Sequence, residues 1–321
     1  MPHFSRAAVF SKPAGPMRPY IEALIKLILK SGLEPLLDKQ TGSYFAEGEA
    51  PWPVLSDEEL ASRADVAVVL GGDGTMLSAA RRLWPHDIPI IGINAGRLGF
   101  ITDIVLEDMP RILPMMLAGH CQTDRRHLLF GRIFRGGEEI FSSVAVNDIG
   151  ISHGRALGMV EYTVYVDGQQ MAVQRADGVL VSSSTGSTAY AMAAGGPIMH
   201  PHVLSMLLVP IAPHTLSNRP VVLSSTSVVD IEINETRSAV ASFDAQVLFD
   251  VAVGDIVRVS VSPNTFTMLH PIGYNHFDLL RRKLKWNYLP QAEKPIHVKE
   301  ITGREPDAEN DDTPKADPFL P

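Results

Sequence analysis

A single cysteine, Cys121, has no partner in the chain, so an internal disulfide framework is excluded and a reducing compartment is expected. Basic residues are the minority, 28 Lys and Arg against 36 Asp and Glu, for a formal charge of −8. That balance speaks against nucleic acid and against a membrane surface as partners, because both are held by basic patches. It does not bear on nucleotides, which local backbone donors can hold. No apolar run nears the ~18 residues of a membrane span. The opening MPHFSRAAVF also lacks a signal-peptide core, so a cytoplasmic protein is expected. What is present is globular composition: 45% hydrophobic and 20% charged residues over 321 positions, enough for one large or two ordinary domains.

The first half alternates strand and helix signals. Ala7–Phe10 is a short apolar run, and Ile21, Leu24, Ile25 and Ile28 follow at helical spacing, with Gly32 placed to end the helix. Val66–Leu70 is continuously apolar, as a parallel strand covered on both faces should be. Met76–Leu83 reads as a helix stopped by Pro85, and Ile88–Ile93 as the next strand, entering the glycine loop Asn94–Phe100. This is a βαβ layout with a parallel sheet. Near residue 125 the pattern changes to alternation: Val160, Tyr162, Val164 and Val166, a hairpin turn at Asp167-Gly168, and further strands at 221–223, 228–233, 239–243 and 256–261. A helix-like piece spans Thr188–Ala194, and His276–Leu284 reads as a short basic helix. The expected architecture is α/β: a parallel-sheet domain over 1–125 with 276–290 returning to it, a β-rich domain over 126–275, and an acidic, disordered tail over 291–321.

Three stretches carry candidate chemistry. In Leu70-Gly71-Gly72-Asp73-Gly74-Thr75 a strand ends, the backbone is bared by glycines, and a helix begins. It lacks the Lys of a phosphate-binding P-loop and the spacing of a dinucleotide fingerprint. A nest of N–H groups there suits an anion. The acid at its centre can deprotonate an attacking hydroxyl, hold a magnesium ion, or simply cap the following helix. In Ala176–Tyr190 a strand runs into a Ser/Thr/Gly loop and a short helix whose free N–H groups and hydroxyls suit a phosphate or ribose. The plainer reading is a capped helix, with Asp177-Gly178 a hairpin turn. Asn147-Asp148 sits in an apolar setting and either ends a strand or reaches into a site. His200, His202, His214, His270 and His276 lack ligand spacing and read as surface or loop histidines, with no protein-held metal expected.

Taken in order, LGGDGTML, INAGRLGF, Asn147-Asp148, RADGVLV, TGSTAY with AGGPI, PIAPHTLSNRP, SFDAQ and HPIGYNHFDLLRRKLKW resemble the NAD kinase family over residues 65–287. GGDGT alone is shared with lipid kinases and has a near relative in phosphofructokinases; the ordered set is specific. The resemblance implies an α/β, Rossmann-like N-terminal domain, a β-rich C-terminal domain, and an active site in the cleft between them. It implies ATP-dependent phosphorylation of the 2′-hydroxyl of the adenosine ribose of NAD, with Mg2+ or another divalent cation entering with ATP, and a homodimer or homotetramer. Asp73 is then similar to the family's catalytic base, with Gly74 beside it. Asn147, Asp148, Asp177, Thr188, Ala189, Tyr190, Ala193, Ala212 and Gln246 match dinucleotide-contacting positions. Arg175 resembles the arginine of members that prefer oxidised NAD.

The chain departs from the commoner family pattern at Asp148 (glutamate), Ala193 (serine), Ser183-Ser184 (Thr-Pro) and Ala245 (glycine). Loss of one neutral hydrogen bond weakens binding by about 0.5–1.5 kcal/mol, a matter of affinity more than of reaction type. The alternatives are another GGDGT-type kinase acting on a lipid or sugar, or a non-catalytic NAD(P)-binding regulator.

Overall fold

The computed structural model describes residues 4–13, 15–45, 51–84, 86–96, 99–154 and 158–286. The acidic tail expected over 291–321, the end of the returning segment at 287–290, the helix stop at Pro85, and Arg97-Leu98 lie outside the described residues.

The N-terminal part follows the expected βα alternation. It comprises β1 (Arg6–Ser11), α1 (Arg18–Lys30), β2 (Glu34–Asp38), α2 (Lys39–Gly42), β3 (Val54–Leu55), α3 (Asp57–Arg63), β4 (Val66–Gly71), α4 (Asp73–Leu83), β5 (Ile90–Asn94), β6 (Ile104–Val105) and α5 (Met109–Leu117). β3, β2, β1, β4 and β5 pair in parallel in that order. Each residue of β4 and β5 is buried, which explains their unbroken apolar sequences. α1 lays Ile21, Leu24, Ile25 and Ile28 on one face of the sheet, and α4 lays Met76, Ala79, Ala80 and Leu83 on the other. Strand order reverses between β1 and β4. The crevice beyond the carboxyl ends of those two strands is where an open α/β sheet collects ligands.

The C-terminal part is antiparallel. β7 (Cys121–Arg135), β8 (Glu138–Ala145), β9 (Asp148–His153), β10 (Val160–Val166) and β11 (Gln169–Ser183) lead into a 3-10 turn (Thr185–Thr188) and the four-residue α6 (Tyr190–Ala193). β12 (Ser205–Pro213), β13 (Val221–Ser224), β14 (Val229–Glu235), β15 (Ala239–Phe243), β16 (Val247–Val251), β17 (Ile256–Pro271) and α7 (His276–Leu284) complete it. The first half of β11 pairs with β10; its second half lies between β12 and β9. β11 therefore passes from one sheet to the next, and both contribute to a core of Ile149, Ile151, Tyr162, Val179, Val181 and Phe243. Asp167 and Gly168 take left-handed φ values of 52° and 77°, forming the expected hairpin turn.

Two strands bind the halves together. The Thr265–Pro271 end of β17 pairs with Cys121–His127 of β7, and Met268 and Leu269 also pair with Ile90 and Ile91 of β5. The parallel sheet thus runs into the antiparallel one through a shared ladder. On α7, Lys283 places its ammonium 5.3 Å from the Phe100 ring centroid, which ties the C-terminal helix to the loop after β5. No helix among the described residues is long and apolar enough to cross a membrane.

Candidate active site

Asp73 is the first residue of α4, three positions earlier than the apolar pattern suggested, and it does not cap its own helix. Its carboxylate turns instead to the loop after β5. Oδ1 accepts from the Ile101 and Thr102 amides at 3.2 Å each and from the Thr102 hydroxyl at 3.1 Å; among the described residues Oδ2 accepts only from the Phe100 amide, at 2.8 Å. Oδ1 is saturated, whereas Oδ2 keeps acceptor capacity for one more donor. Thr102 is itself fixed by the Asn94 amide at 2.8 Å. Gly99 has to be glycine: a Cβ there would lie 1.8 Å from Oδ1 of Asp73. GGDGT and INAGRLGF, separate in the sequence, are thus one device, and the capping reading of Asp73 is set aside.

The second group forms around the β15–β16 turn. Asp244 accepts from three successive amides, Val146 (3.0 Å), Asn147 (2.7 Å) and Asp148 (3.3 Å), and from Arg81 of α4 at 2.7 Å. Arg81 also donates to Gln246 at 2.6 Å, and Gln246 returns a bond to the Gly74 carbonyl at 2.9 Å. The turn residues Asp244 and Ala245 both have left-handed φ, 52° and 53°, the backbone in which the glycine common at position 245 is unstrained. The turn forms a wall shared by two cavities. One, of about 410 Å3, is lined by Asn147, Asp148, Ala189, Tyr190, Asp244 and Ala245. The other, of about 470 Å3, sits at the β1/β4 switch point among Ser11, Pro13, Gly74, Thr75, Ser78 and Gln246.

Within the first cavity the Asn147 side-chain oxygen is buried and has no hydrogen-bond partner among the described residues. Burial, reinforced by the charge of Asp244, pushes the Asp148 carboxyl up to about 7. Its unfolded value is that of an ordinary carboxylate, so between pH ~4 and ~7 the folded state holds a proton that the unfolded state has released. Stability contributed by the protonated form is therefore lost as pH rises through that window. Asp148→Asn removes the titration, and its melting temperature should gain on the parent's between pH 5 and pH 8. Parallel melting curves over that range would exclude a raised Asp148.

The other sequence candidates divide. Gly74 and Gln246 join Asp73; Asn147, Asp148, Ala189 and Tyr190 join each other. Asp177-Gly178 is no turn: it lies within β11, where a Gly178 Cβ would meet the Ile151 carbonyl at 2.3 Å. Ser152, which lines the first cavity, is Gly178's ladder partner. Ala212 (φ 43°) lies beside Asp177 on the same ladder. Arg175 is exposed and lines a different hollow, with Glu161 and Glu235. Ala193 is exposed on α6.

The hydroxyls proposed as ligands are mostly engaged within the protein. Ser182 and Ser183 donate to the Asn147 and Val146 carbonyls, Ser187 to Ser184, and Thr188 to Thr185. Gly186 lets this turn press on Asn147, since its Cβ would lie 2.1 Å from the Asn147 carbonyl oxygen. The motif shapes the cavity wall more than it offers hydroxyls. His270 corrects the surface-histidine reading: it is 2% exposed and lies between two carboxylates. Arg81 and Asp244 were not foreseen. The available signal was an acid at a tight turn, Asp244-Ala245, facing an arginine two helical turns beyond Asp73.

Comparison with known proteins gives one consistent result. Two family models match the chain, the ATP-NAD kinase N-terminal domain over residues 29–121 and the ATP-NAD kinase C-terminal domain over 146–270. An NAD kinase of Cupriavidus pinatubonensis is 47% identical over 276 residues, covering 86% of this chain and 90% of that one. One of Paraburkholderia phytofirmans is 47% identical over 274 residues, covering 85% and 91%. Among solved structures, an NAD kinase of Archaeoglobus fulgidus in complex with ATP superposes with a TM-score of 0.69 at 26% identity, covering 87% of this chain and 98% of that one. A yeast NADH kinase complexed with NADH shares the fold with a TM-score of 0.80 at 22% identity, covering 89% of each.

Proposed function

The chain belongs to the NAD kinase family, and on that premise we propose how its residues divide the work of converting NAD and ATP to NADP and ADP. The adenosine 2′-hydroxyl oxygen of NAD forms a bond to the γ-phosphorus of ATP. The bond from that phosphorus to the β–γ bridging oxygen breaks, and ADP leaves with the electron pair. The hydroxyl proton passes to Oδ2 of Asp73, the oxygen with one donor among the described residues where Oδ1 has three. The observation that carries this division is the bridge between the halves: Arg81 to Asp244 and Gln246, and Gln246 to Gly74. It sets the dinucleotide pair Asn147-Asp148 beside the glycine loop that bears Asp73.

The crevice cavity at the β1/β4 switch point takes the triphosphate, whose charge suits the first turn of α4. The cavity around Asn147 and Asp148 takes the dinucleotide, with Ala189 and Tyr190 on its wall and Thr188 setting the turn. Asp177, Ala212, Arg175 and Ala193 lie further out and meet the rest of the dinucleotide or a second subunit in a homodimer or homotetramer. The division into 1–125 with 276–290, and 126–275, belongs to the same reading, with β7 and β17 as the shared seam.

Among the described residues no group of three or more His, Cys, Asp or Glu is placed to hold an ion. The carboxylate at the loop already accepts three amides and a hydroxyl. A divalent cation fits here as part of the nucleotide, with phosphate and water as its ligands, and when bound it neutralises phosphate charge.

A coupled assay offering NAD, diacylglycerol and fructose 6-phosphate as acceptors with MgATP tests the reading. Turnover with NAD alone is expected. Turnover with either other acceptor, or tight NADP binding without any NADP formation, overturns it.

A further inference from the structure

A buried charged chain runs behind the reacting groups, and the reaction steps above do not use it. Thr102, which gives its amide and hydroxyl to Asp73, is followed by Asp103. Asp103 meets Nδ1 of His270 at 2.9 Å, and Nε2 of the same ring meets Asp124 at 3.2 Å. Asp124 is paired with Arg126 at 2.6 Å, and Arg126 reaches the Thr185 hydroxyl at 3.4 Å. Thr185 opens the turn that presses on Asn147. The chain therefore starts one residue from the donors of Asp73 and ends at the turn that shapes the dinucleotide cavity.

The hydrogen-bond pattern fixes the charge of the ring. A neutral imidazole has one N–H, and its other nitrogen would set a lone pair against a carboxylate; two carboxylates at 2.9 and 3.2 Å call for two N–H donors. Charge gives the same answer. Asp103 and Asp124 balance Arg126 and His270 only when the ring is an imidazolium. The groups that face the ring are Asp103 before β6, Asp124 on β7, and Tyr274, whose ring stacks at 3.8 Å; Arg126 acts on it through Asp124. His202 holds the other oxygen of Asp124 at 3.0 Å, and His276 of α7 lies within electrostatic reach of Arg126 and Asp124. Burial alone would lower the basicity of His270, but its bonds to Asp103 and Asp124 outweigh burial and hold it above the ordinary value. The same bonds, with Arg126, keep Asp124 well below the usual carboxylate range against its own burial.

We propose that His270, as an imidazolium between Asp103 and Asp124, is a positioning residue for phosphoryl transfer. It braces the loop that orients Asp73 against the turn that shapes the dinucleotide cavity. Loss of its proton breaks one of the two bonds and leaves an uncompensated buried carboxylate, which frees that loop to shift. Turnover then falls at alkaline pH while nucleotide binding changes less. The inference rests on Asp73 as the proton acceptor, and the experiment separates the two.

The full chain is labelled at histidine ring nitrogens and titrated by NMR, with His270 identified by the resonance lost in His270→Gln. The pH profile of kcat is measured on the same protein and on Asp103→Asn, which keeps the shape and removes one negative charge. In the parent, His270 is expected to stay doubly protonated above the ordinary histidine range, with the alkaline limb of kcat at its ionisation. In Asp103→Asn both should move down together by roughly one pH unit, a tenfold change in proton affinity. A ring that loses its proton at or below the ordinary histidine value in the parent overturns the proposal without need of any variant. So does an imidazole that shifts while the kcat limb stays. Asp73→Asn is run alongside: if it is inactive while the limb ignores His270, the brace is wrong and the base stands. If it turns over normally while limb and imidazole move together, the base is wrong and the brace stands.

Discussion

Asp73→Asn is expected to lower kcat by about 10²–10⁴, the usual range for removing a general base, while the Kd for NAD stays within a few-fold of the parent's. The size of the effect follows from the geometry. The Asp73 carboxylate is not a free acid at a loop tip; an amide or hydroxyl fixes each of its oxygens, and the missing Cβ of Gly99 makes the room it occupies. Such a carboxylate is well aimed. Phosphoryl transfer asks for that, because its transition state is loose and the hydroxyl proton is released late. Asparagine keeps an oxygen for Oδ1's three donors but sets an NH2 group against the Phe100 amide. That mismatch costs about 1–3 kcal/mol of stability, so the melting temperature is measured beside kcat. A folded Asp73→Asn enzyme with kcat within about tenfold of the parent's lies below the range for a lost base and refutes the role.

How much of this was legible beforehand follows from the burial of each segment. Val66–Leu70 and Ile90–Ile93 are buried on both faces of a parallel sheet, so their apolar runs stand out, and the loops after them carry GGDGT and INAGRLGF. β7 was not legible as a strand. Its sequence CQTDRRHLLFGRIFR mixes Asp124 and Arg126 with apolar residues because those two are buried as an ion pair, and periodicity does not distinguish a buried pair from a solvated one. β11 was read as a strand only in part, because Asp177-Gly178 resembles a hairpin turn; the close approach of the Ile151 carbonyl is what calls for that glycine. Asn147-Asp148 was placed near a ligand by resemblance. What holds the pair in the structure, Asp244 gathering three successive amides, depends on a contact 96 to 98 residues away in the chain. Local pattern identifies strands and loops; which polar side chains meet is decided by the fold.

The same contact carries the second large expectation, a loss of roughly 3–5 kcal/mol of stability in Asp244→Ala, the usual range for breaking a buried ion pair from one side. The Asp244 side chain is fully buried and that of Arg81 is 11% exposed. Alanine would leave the guanidinium with Gln246 alone and the amides of Val146, Asn147 and Asp148 without their acceptor. For a chain of this size the melting temperature should drop by roughly 10 °C, at 2–4 °C for each kcal/mol. Binding should suffer with it, because Asn147 and Asp148 are oriented by the bonds that vanish, so the KM for NAD should rise more than that for ATP. Arg81→Met combined with Asp244→Ala should cost less than the sum of the single changes, since the double variant buries no unpaired charge. Asp148 should answer as well. With the neighbouring charge gone, its carboxyl loses one of the two influences that raise it, and the pH dependence of stability between ~4 and ~7 should flatten. A loss below about 1 kcal/mol, typical of a surface pair, or strictly additive single changes, would place Arg81–Asp244 among exposed ion pairs. It would then not be the link that holds the glycine loop and the cavity around Asn147 and Asp148 in register.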